Sequence, residues 1–128
     1  MREIKVILDT NFLLTMVRHR IHGFEEIRAK IPAKFYVLSR IMWELEQKSK
    51  ENKKLNKEVR LVKQILEKNE VKGLESTKNN VDTELVELSK EYVIATNDKE
   101  LRERIKRFGG KSIYIRSLSF IETEDLFD

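Results

Sequence analysis

The sequence predicts an α/β protein of three layers (α/β/α), in which helices cover both faces of a five-stranded, mostly parallel sheet. Five short apolar runs, rich in Val, Ile, Tyr and Phe, alternate along the chain with longer segments whose apolar residues recur every three or four positions. Such alternation of strands and helices favours parallel pairing of the strands. The 128 residues suit a single domain over positions 1–128, and the sequence has no internal repeat or low-complexity segment.

The five strands are predicted from the apolar runs in order. The first run, Ile4–Leu8, is largely β-branched, which is typical of a strand buried on both faces. Four further runs, at 35–38, 71–74, 92–95 and 113–115, predict the remaining strands, and the pattern at 71–74 is the weakest.

Helices are predicted between these strands. Segments 12–17 and 24–31 are separated by Gly23 and stopped by Pro32, and Ser39 is predicted to cap the next helix. A long charged helix and two shorter helices follow, and Gly109 is predicted to end the last one. The apolar stripes of the last four helices are expected at Ile41, Met42 and Leu45, at Leu55, Val59, Val62 and Leu66, at Val81, Leu85 and Leu88, and at Leu101, Ile105 and Phe108.

Composition excludes several classes of protein. The chain has no cysteine and only two histidines, His19 and His22, so disulfides, thiolate metal sites and a three-histidine site are excluded. No apolar run approaches the roughly 20 residues of a membrane span, and the charged start of the chain does not resemble a signal peptide. We therefore expect a soluble cytoplasmic protein. Its net charge of +4 permits a nucleic-acid partner.

An acid follows each of the first four predicted strands. Asp9 ends the first strand, Glu44 lies about one turn into the next helix, Asp82 opens the helix after the third strand, and Asp98 follows the fourth. Ligands of parallel sheets bind beyond the carboxyl ends of the strands, so these side chains are expected at one rim of the sheet. Clustered carboxylates repel each other, and Mg²⁺ or Mn²⁺, which prefers oxygen ligands, removes that cost.

Each acid also has a simpler interpretation. Asp9 can form an Asx turn, with Asn11 capping the next helix, and Asp98 can serve the helix dipole beside a cap at Asn97. Asp82 can be an ordinary acid of a helix N-terminus, and Glu44 an ordinary surface residue. The argument for a site therefore rests on the repeated placement of the four acids after successive strands.

Four segments together resemble the PIN domain family: "VILDTNFLL", "LSRIMWELEQ", "NNVDTELVELS" and "YVIATNDKELRERI". PIN domains are α/β folds and commonly metal-dependent ribonucleases. The resemblance implies an acidic, catalytic metal site for Mg²⁺ or Mn²⁺, formed by Asp9, Glu44, Asp82 and Asp98 and supported through hydrogen bonds by Asn11 and Thr96. In this reading an activated water attacks the phosphorus of RNA, single-stranded or structured, without a protein nucleophile.

Two branches of the family remain open. The segment from Ala95 onwards is similar to PIN endonucleases of ribosome biogenesis, which implies a role in rRNA processing and a ribosome-biogenesis partner. The short chain suits VapC toxins of toxin–antitoxin pairs equally well, although many of these carry Ala where this chain has Ser89. An antitoxin would then be the partner. The competing class is a catalytically inactive PIN-fold module that binds RNA or another protein.

Other residues allow two interpretations. Lys53, Lys54, Lys57 and Arg102 belong to basic stretches that either contact RNA phosphates or form solvated helix faces with nearby acids. Trp43, next to Glu44, either stacks on a base or serves packing, including packing in a homodimer. The tail at 119–128 mixes apolar residues, among them Phe127, with four acids, and it docks on the chain's own core or on a partner.

Overall fold

The computed structural model describes residues 2–123 and Leu126, which form six strands and six helices around one sheet. The strands are β1 (Ile4–Leu8), β2 (Ala33–Leu38), β3 (Lys72–Leu74), β4 (Val93–Ala95), β5 (Ser112–Arg116) and β6 (Phe120–Glu122). The helices are α1 (Thr10–His19), α2 (Gly23–Lys30), α3 (Ser39–Ser49), α4 (Lys53–Lys68), α5 (Val81–Leu88) and α6 (Lys99–Phe108).

The strand order is β3-β2-β1-β4-β5-β6, and the first five strands pair in parallel. The predicted mostly parallel sheet is confirmed, but the expectation of five strands is wrong by one. The added strand, β6, pairs antiparallel with β5, with Ile115 opposite Ile121. The residues of β6 offer only two apolar positions, Phe120 and Ile121, before Glu122, so no apolar run marks this strand in the sequence.

Helices cover both faces of the sheet, as predicted. Val6, Ile7 and Leu8 are 0% exposed, although successive side chains of a strand point to opposite faces. Among the helices, α1, α3 and α4 pack against one another, and α5 packs on α6. The burial of three consecutive residues shows that the central strand β1 has no solvated face. Within the described residues, no helix has the length and apolar character needed to cross a membrane.

The carboxyl ends of β1 and β4 meet at the point where the strand order reverses. From β1 the chain moves to β2 and β3 on one side, and it then returns to β4 on the other side. Leu8 is paired with Ala95, and Asp9 N donates a hydrogen bond to Ala95 O at 2.9 Å. The residues that follow these two strands are therefore neighbours, at the position where parallel sheets bind ligands.

Two expectations about the helices are wrong. No side-chain hydrogen bond caps α3 at Leu38, and Ser39 does not act as the cap. Instead Ser39 Oγ accepts a hydrogen bond from Ser76 N at 2.9 Å, and Ser76 Oγ accepts one from Arg40 N at 3.0 Å. The start of α3 is thus satisfied by a residue distant in sequence. Phe108, expected in a buried stripe, is 40% exposed, with the Lys90 ammonium 4.8 Å from its ring centre.

Other helix signals are confirmed. Gly109 ends α6 in the left-handed region, with φ of 91°, where a side chain would be strained.

The tail contributes to the core of its own chain: Ile121 is fully buried, and Leu126 packs against the hydrophobic core. Phe127 and three of the four acids of the tail lie outside the described residues.

Candidate active site

Asp9 lies at the carboxyl end of β1 and is the N-cap residue of α1. Its Oδ1 accepts a hydrogen bond from Thr10 N at 2.8 Å, and its Oδ2 accepts one from Thr96 Oγ1 at 2.7 Å. The residue is only 6% exposed. Burial raises the pKa of Asp9 to about 6, because the ionised form is desolvated, and the two hydrogen bonds oppose this rise. The charges of Asp82 and Glu44 raise the pKa further.

Asn11 and Thr96 tie the loop after β4 to the start of α1. Asn11 Oδ1 accepts a hydrogen bond from Asn97 N at 2.9 Å, and Thr96 Oγ1 accepts one from Asp98 N at 3.2 Å. Ile115 N donates to Asn97 Oδ1 at 2.9 Å, which holds the same loop to β5. Asn97 is therefore occupied with β5 and is not the helix cap that the simpler interpretation of Asp98 requires.

Asp98 itself caps α6. Its Oδ1 accepts a hydrogen bond from Leu101 N at 3.1 Å. Asp82 lies in the first turn of α5, where Asn80 is the N-cap. Partial burial raises the pKa of Asp82, and the charge of Asp98 raises it further, whereas Arg104 lowers it. The two carboxylates thus interact although their helices begin after different strands.

Glu44 reaches the site from α3. Its Oε1 accepts a hydrogen bond from Thr10 Oγ1 at 3.1 Å, which connects it to the residue that follows Asp9. Within residues 2–123 and 126, its Oε2 accepts no hydrogen bond. Glu44 is therefore fixed through one oxygen, and the other is available to a water or a ligand.

The four acids line one open cleft of about 500 Å³. Sequence placement alone had suggested that they converge, and the structure brings all four to the same space. The other residues of the wall are Thr10, Asn11, Leu14, Thr15, Arg18, Trp43, Gln47 and Lys48. Sequence reasoning missed Thr10, Arg18 and Lys48 as wall residues. Arg18 follows Asn11 by seven positions, a helical spacing that places both on one face of α1. This spacing could have identified Arg18 as a wall residue from the sequence.

The donor set of the cleft fits a hard divalent cation in its chemistry. Among the described residues, no three acid, histidine or cysteine side chains stand close enough to hold one ion together. Several carboxylate oxygens instead accept hydrogen bonds from the protein, as Asp9 and Asp98 do. Mg²⁺ commonly binds through only one or two carboxylates and keeps several waters. Asp9, Glu44, Asp82 and Asp98 are the residues that would hold it, directly or through water.

Three of the four residues predicted to contact RNA lie together outside the cleft, and the fourth lies elsewhere. Lys53 and Lys57, at the start of α4, line a shallow groove with Asn56 and Arg60, and Lys54 is exposed on the same helix. Arg102 lies away from the cleft wall, with its guanidinium 3.7 Å from the centre of the Tyr114 ring. These positions leave RNA contact by Lys53, Lys54, Lys57 and Arg102 a prediction.

Trp43 lies on the cleft wall and is 50% exposed. The guanidinium of Arg40 lies 4.4 Å from the centre of its ring. Trp43 is therefore not part of the hydrophobic core of its own chain. The histidines lie elsewhere: both are exposed, and neither lines the cleft.

Comparison with known proteins assigns the family. The family model described as the PIN-like domain matches residues 6–118, and the chain belongs to this family. Ribonuclease VapC4 of Methanocaldococcus jannaschii is 32% identical over 124 residues, which cover 92% of this chain and 95% of that protein. The expected PIN fold is thereby confirmed.

Two solved structures share the fold of this chain. The PIN domain endonuclease Utp24 superposes with a TM-score of 0.76 at 27% identity, covering 97% of this chain and 93% of that chain. A domain of a functionally unknown protein from Methanocaldococcus jannaschii superposes with a TM-score of 0.63 at 15% identity, covering 89% and 92%, and shows the same fold. The two relatives whose names state an activity, VapC4 and Utp24, are both nucleases, which supports the nuclease class expected from the sequence.

Proposed function

We propose that this protein is an endoribonuclease that hydrolyses RNA in the acidic cleft and requires Mg²⁺ or Mn²⁺. The observation that carries the proposal is the placement of Asp9. A carboxylate at the switch point of a parallel sheet is almost fully buried, and its pKa is raised to about 6, while three further acids line the same cleft. Such an arrangement opposes folding of the cation-free chain and favours a bound cation.

Each acid has a defined part in the proposed reaction. A bound divalent cation would supply charge neutralisation and the activation of a water for attack on phosphorus. Asp9, Asp82 and Asp98 would hold that cation, directly or through water. Glu44, fixed by Thr10 through Oε1, would complete this site or orient the attacking water through Oε2. Asn11 and Thr96 hold the two loops that carry Asp9 and Asp98 in register.

The biological setting has two candidates. The similarity to ribonuclease VapC4 supports a toxin controlled by an antitoxin. The resemblance of the segment from Ala95 onwards to PIN endonucleases of ribosome biogenesis supports a role in rRNA processing, and Utp24 is an endonuclease of the same fold. Both settings use the same proposed chemistry. A short antitoxin-like reading frame next to the gene would favour the toxin. Its absence, together with co-purification with preribosomal RNA, would favour the second setting.

Cleavage of a circular single-stranded RNA tests the proposal, because only an endonuclease can open a circle. We expect linear products with Mg²⁺ or Mn²⁺ and none with excess EDTA. Asp9→Asn and Asp98→Asn should abolish the products, whereas Glu67→Gln, which changes an exposed carboxylate on α4, should not. Full activity in EDTA would refute the cation requirement. Binding of RNA without cleavage under every cation tested would favour the inactive module.

A further inference from the structure

An acidic cleft needs positively charged side chains to accept the phosphates of RNA, and α1 contributes one of them. Asn11, Leu14, Thr15 and Arg18 all line the cleft, and their helical spacing places them on one face of α1. At about 1.5 Å per residue, the Arg18 backbone lies roughly 10 Å along the helix axis from Asn11. Arg18 is therefore part of the cleft wall but stands about two turns away from the carboxylates at the switch point.

A buried acid on another helix holds the Arg18 side chain. Arg18 Nε donates a hydrogen bond to Glu58 Oε2 of α4 at 2.9 Å. The Glu58 side chain is only 10% exposed, whereas that of Arg18 is 41% exposed. Glu58 Oε1 is buried and accepts no hydrogen bond from any described residue. Burying a carboxylate in this way is costly unless a charge opposes it, so Arg18 is needed where it stands.

The guanidinium is held in a way that leaves it free to bind an anion. Its hydrogen bond to Glu58 uses Nε, and within the part of the chain that the structure describes its two Nη atoms donate no hydrogen bond. An arginine that is fixed from one side presents its remaining donors in a rigid plane, which suits the oxygens of a phosphate. Lys48, the other cation that lines the cleft, adds positive charge to the same wall.

We propose that Arg18, positioned by Glu58, binds a phosphate of the RNA adjacent to the phosphate that is cleaved. This inference rests on the proposed function, because it uses RNA as the occupant of the cleft. The Arg18 backbone lies about two helical turns from Asn11 and Glu58 holds its side chain there, which favours a neighbouring phosphate over the reacting one. Arg18 is thus a substrate-binding residue, and Glu58 is a positioning residue that acts through it.

Steady-state kinetics with a single-stranded RNA and Mg²⁺ test the assignment. Arg18→Gln should raise KM by about tenfold or more, the scale of one charge-assisted hydrogen bond, with kcat changed less than about threefold. Arg18→Lys keeps the charge and should recover part of the loss. Arg20→Gln removes the same charge from an exposed neighbour outside the cleft and should leave KM unchanged.

A double-mutant cycle separates positioning from general folding. Glu58→Gln should raise KM in the wild-type chain but have no further effect in the Arg18→Gln chain, because its influence passes through Arg18. If the ion pair only ties α1 to α4, both variants lower the unfolding temperature while KM stays at the wild-type value. That result would overturn the inference, as would a fall in kcat with KM unchanged.

Binding without cleavage distinguishes failure of this inference from failure of the proposed function. In EDTA, the logarithm of the RNA affinity should fall less steeply with the logarithm of salt in Arg18→Gln, by about one unit of slope. If the wild type binds with this Arg18 dependence but never cleaves RNA, Arg18 is confirmed as a phosphate-binding residue of the cleft and the proposed activity is wrong. If the wild type cleaves RNA and Arg18→Gln behaves identically, the inference alone is wrong. A wild type that binds no RNA in EDTA or in Mg²⁺ would overturn both.

Discussion

Replacement of Asp9 by Asn should stabilise the cation-free protein. In the folded chain the Asp9 pKa is raised from 3.8 to about 6, mainly because the carboxylate is buried. At about 1.4 kcal/mol per pKa unit, ionisation of this group opposes folding by about 3 kcal/mol at pH 7.5. Asn is neutral and nearly isosteric, and its Oδ1 can still accept from Thr10 N. Its amide would meet Thr96 Oγ1, so part of the gain is lost, and we expect a net stabilisation of about 1–2 kcal/mol.

The pH dependence of this effect has a defined sign. Because the pKa is higher in the folded chain than in the unfolded chain, the penalty is fully present above about pH 6. It declines as the pH falls from about 6 towards 3.8, since the folded state takes up the proton first. The difference in unfolding free energy between Asp9→Asn and wild type should therefore be most favourable to the variant at pH 7.5 and smaller by about 2 kcal/mol near pH 4.

Urea unfolding in EDTA at pH 7.5 and pH 4, followed by circular dichroism, measures this difference. Glu67→Gln is the matched control, because it neutralises an exposed carboxylate and should change little at either pH. Saturating Mg²⁺ should then stabilise the wild type, by about 2.7 kcal/mol at a hundredfold excess over Kd, and Asp9→Asn much less. A variant that is less stable than wild type in EDTA at pH 7.5, or an effect equal at both pH values, would refute the electrostatic reasoning.

Three further predictions concern the rest of the cleft and its surroundings. Asp98→Asn should abolish cleavage but change the unfolding free energy in EDTA by no more than about 1 kcal/mol, because Asn is an equally good N-cap; a loss of several kcal/mol would mark Asp98 as structural. Charge reversal at Lys53, Lys54 and Lys57 should reduce the salt dependence of RNA binding if this part of α4 contacts RNA, and an unchanged slope would assign the contact to another face. Trp43 is the only tryptophan, so stacking of a base on it should quench its emission when single-stranded RNA is added in EDTA, whereas emission that varies with protein concentration alone would indicate a homodimer contact.

Features that depend on neighbours in sequence were determined by the sequence alone. The apolar run of β1, the stripes of the helices and the stop at Gly109 follow from periodicity and local backbone preference. The acids after four successive strands also followed from order along the chain, because parallel strands bring their carboxyl ends to one edge. The rest of the cleft wall, including Thr10, Arg18 and Lys48, did not follow from that order.

Contacts between distant segments were decided only by the tertiary structure. Thr96 and Asp9 are 87 positions apart, and Arg18 and Glu58 are 40 apart, yet each pair forms a short hydrogen bond. The same holds for Ser76, which takes the capping role that the sequence assigned to Ser39. Each polar residue has many possible hydrogen-bond partners along the chain, and no local sequence pattern distinguishes among them. Burial selects the pairs, because only a polar group removed from water must find a partner in the protein.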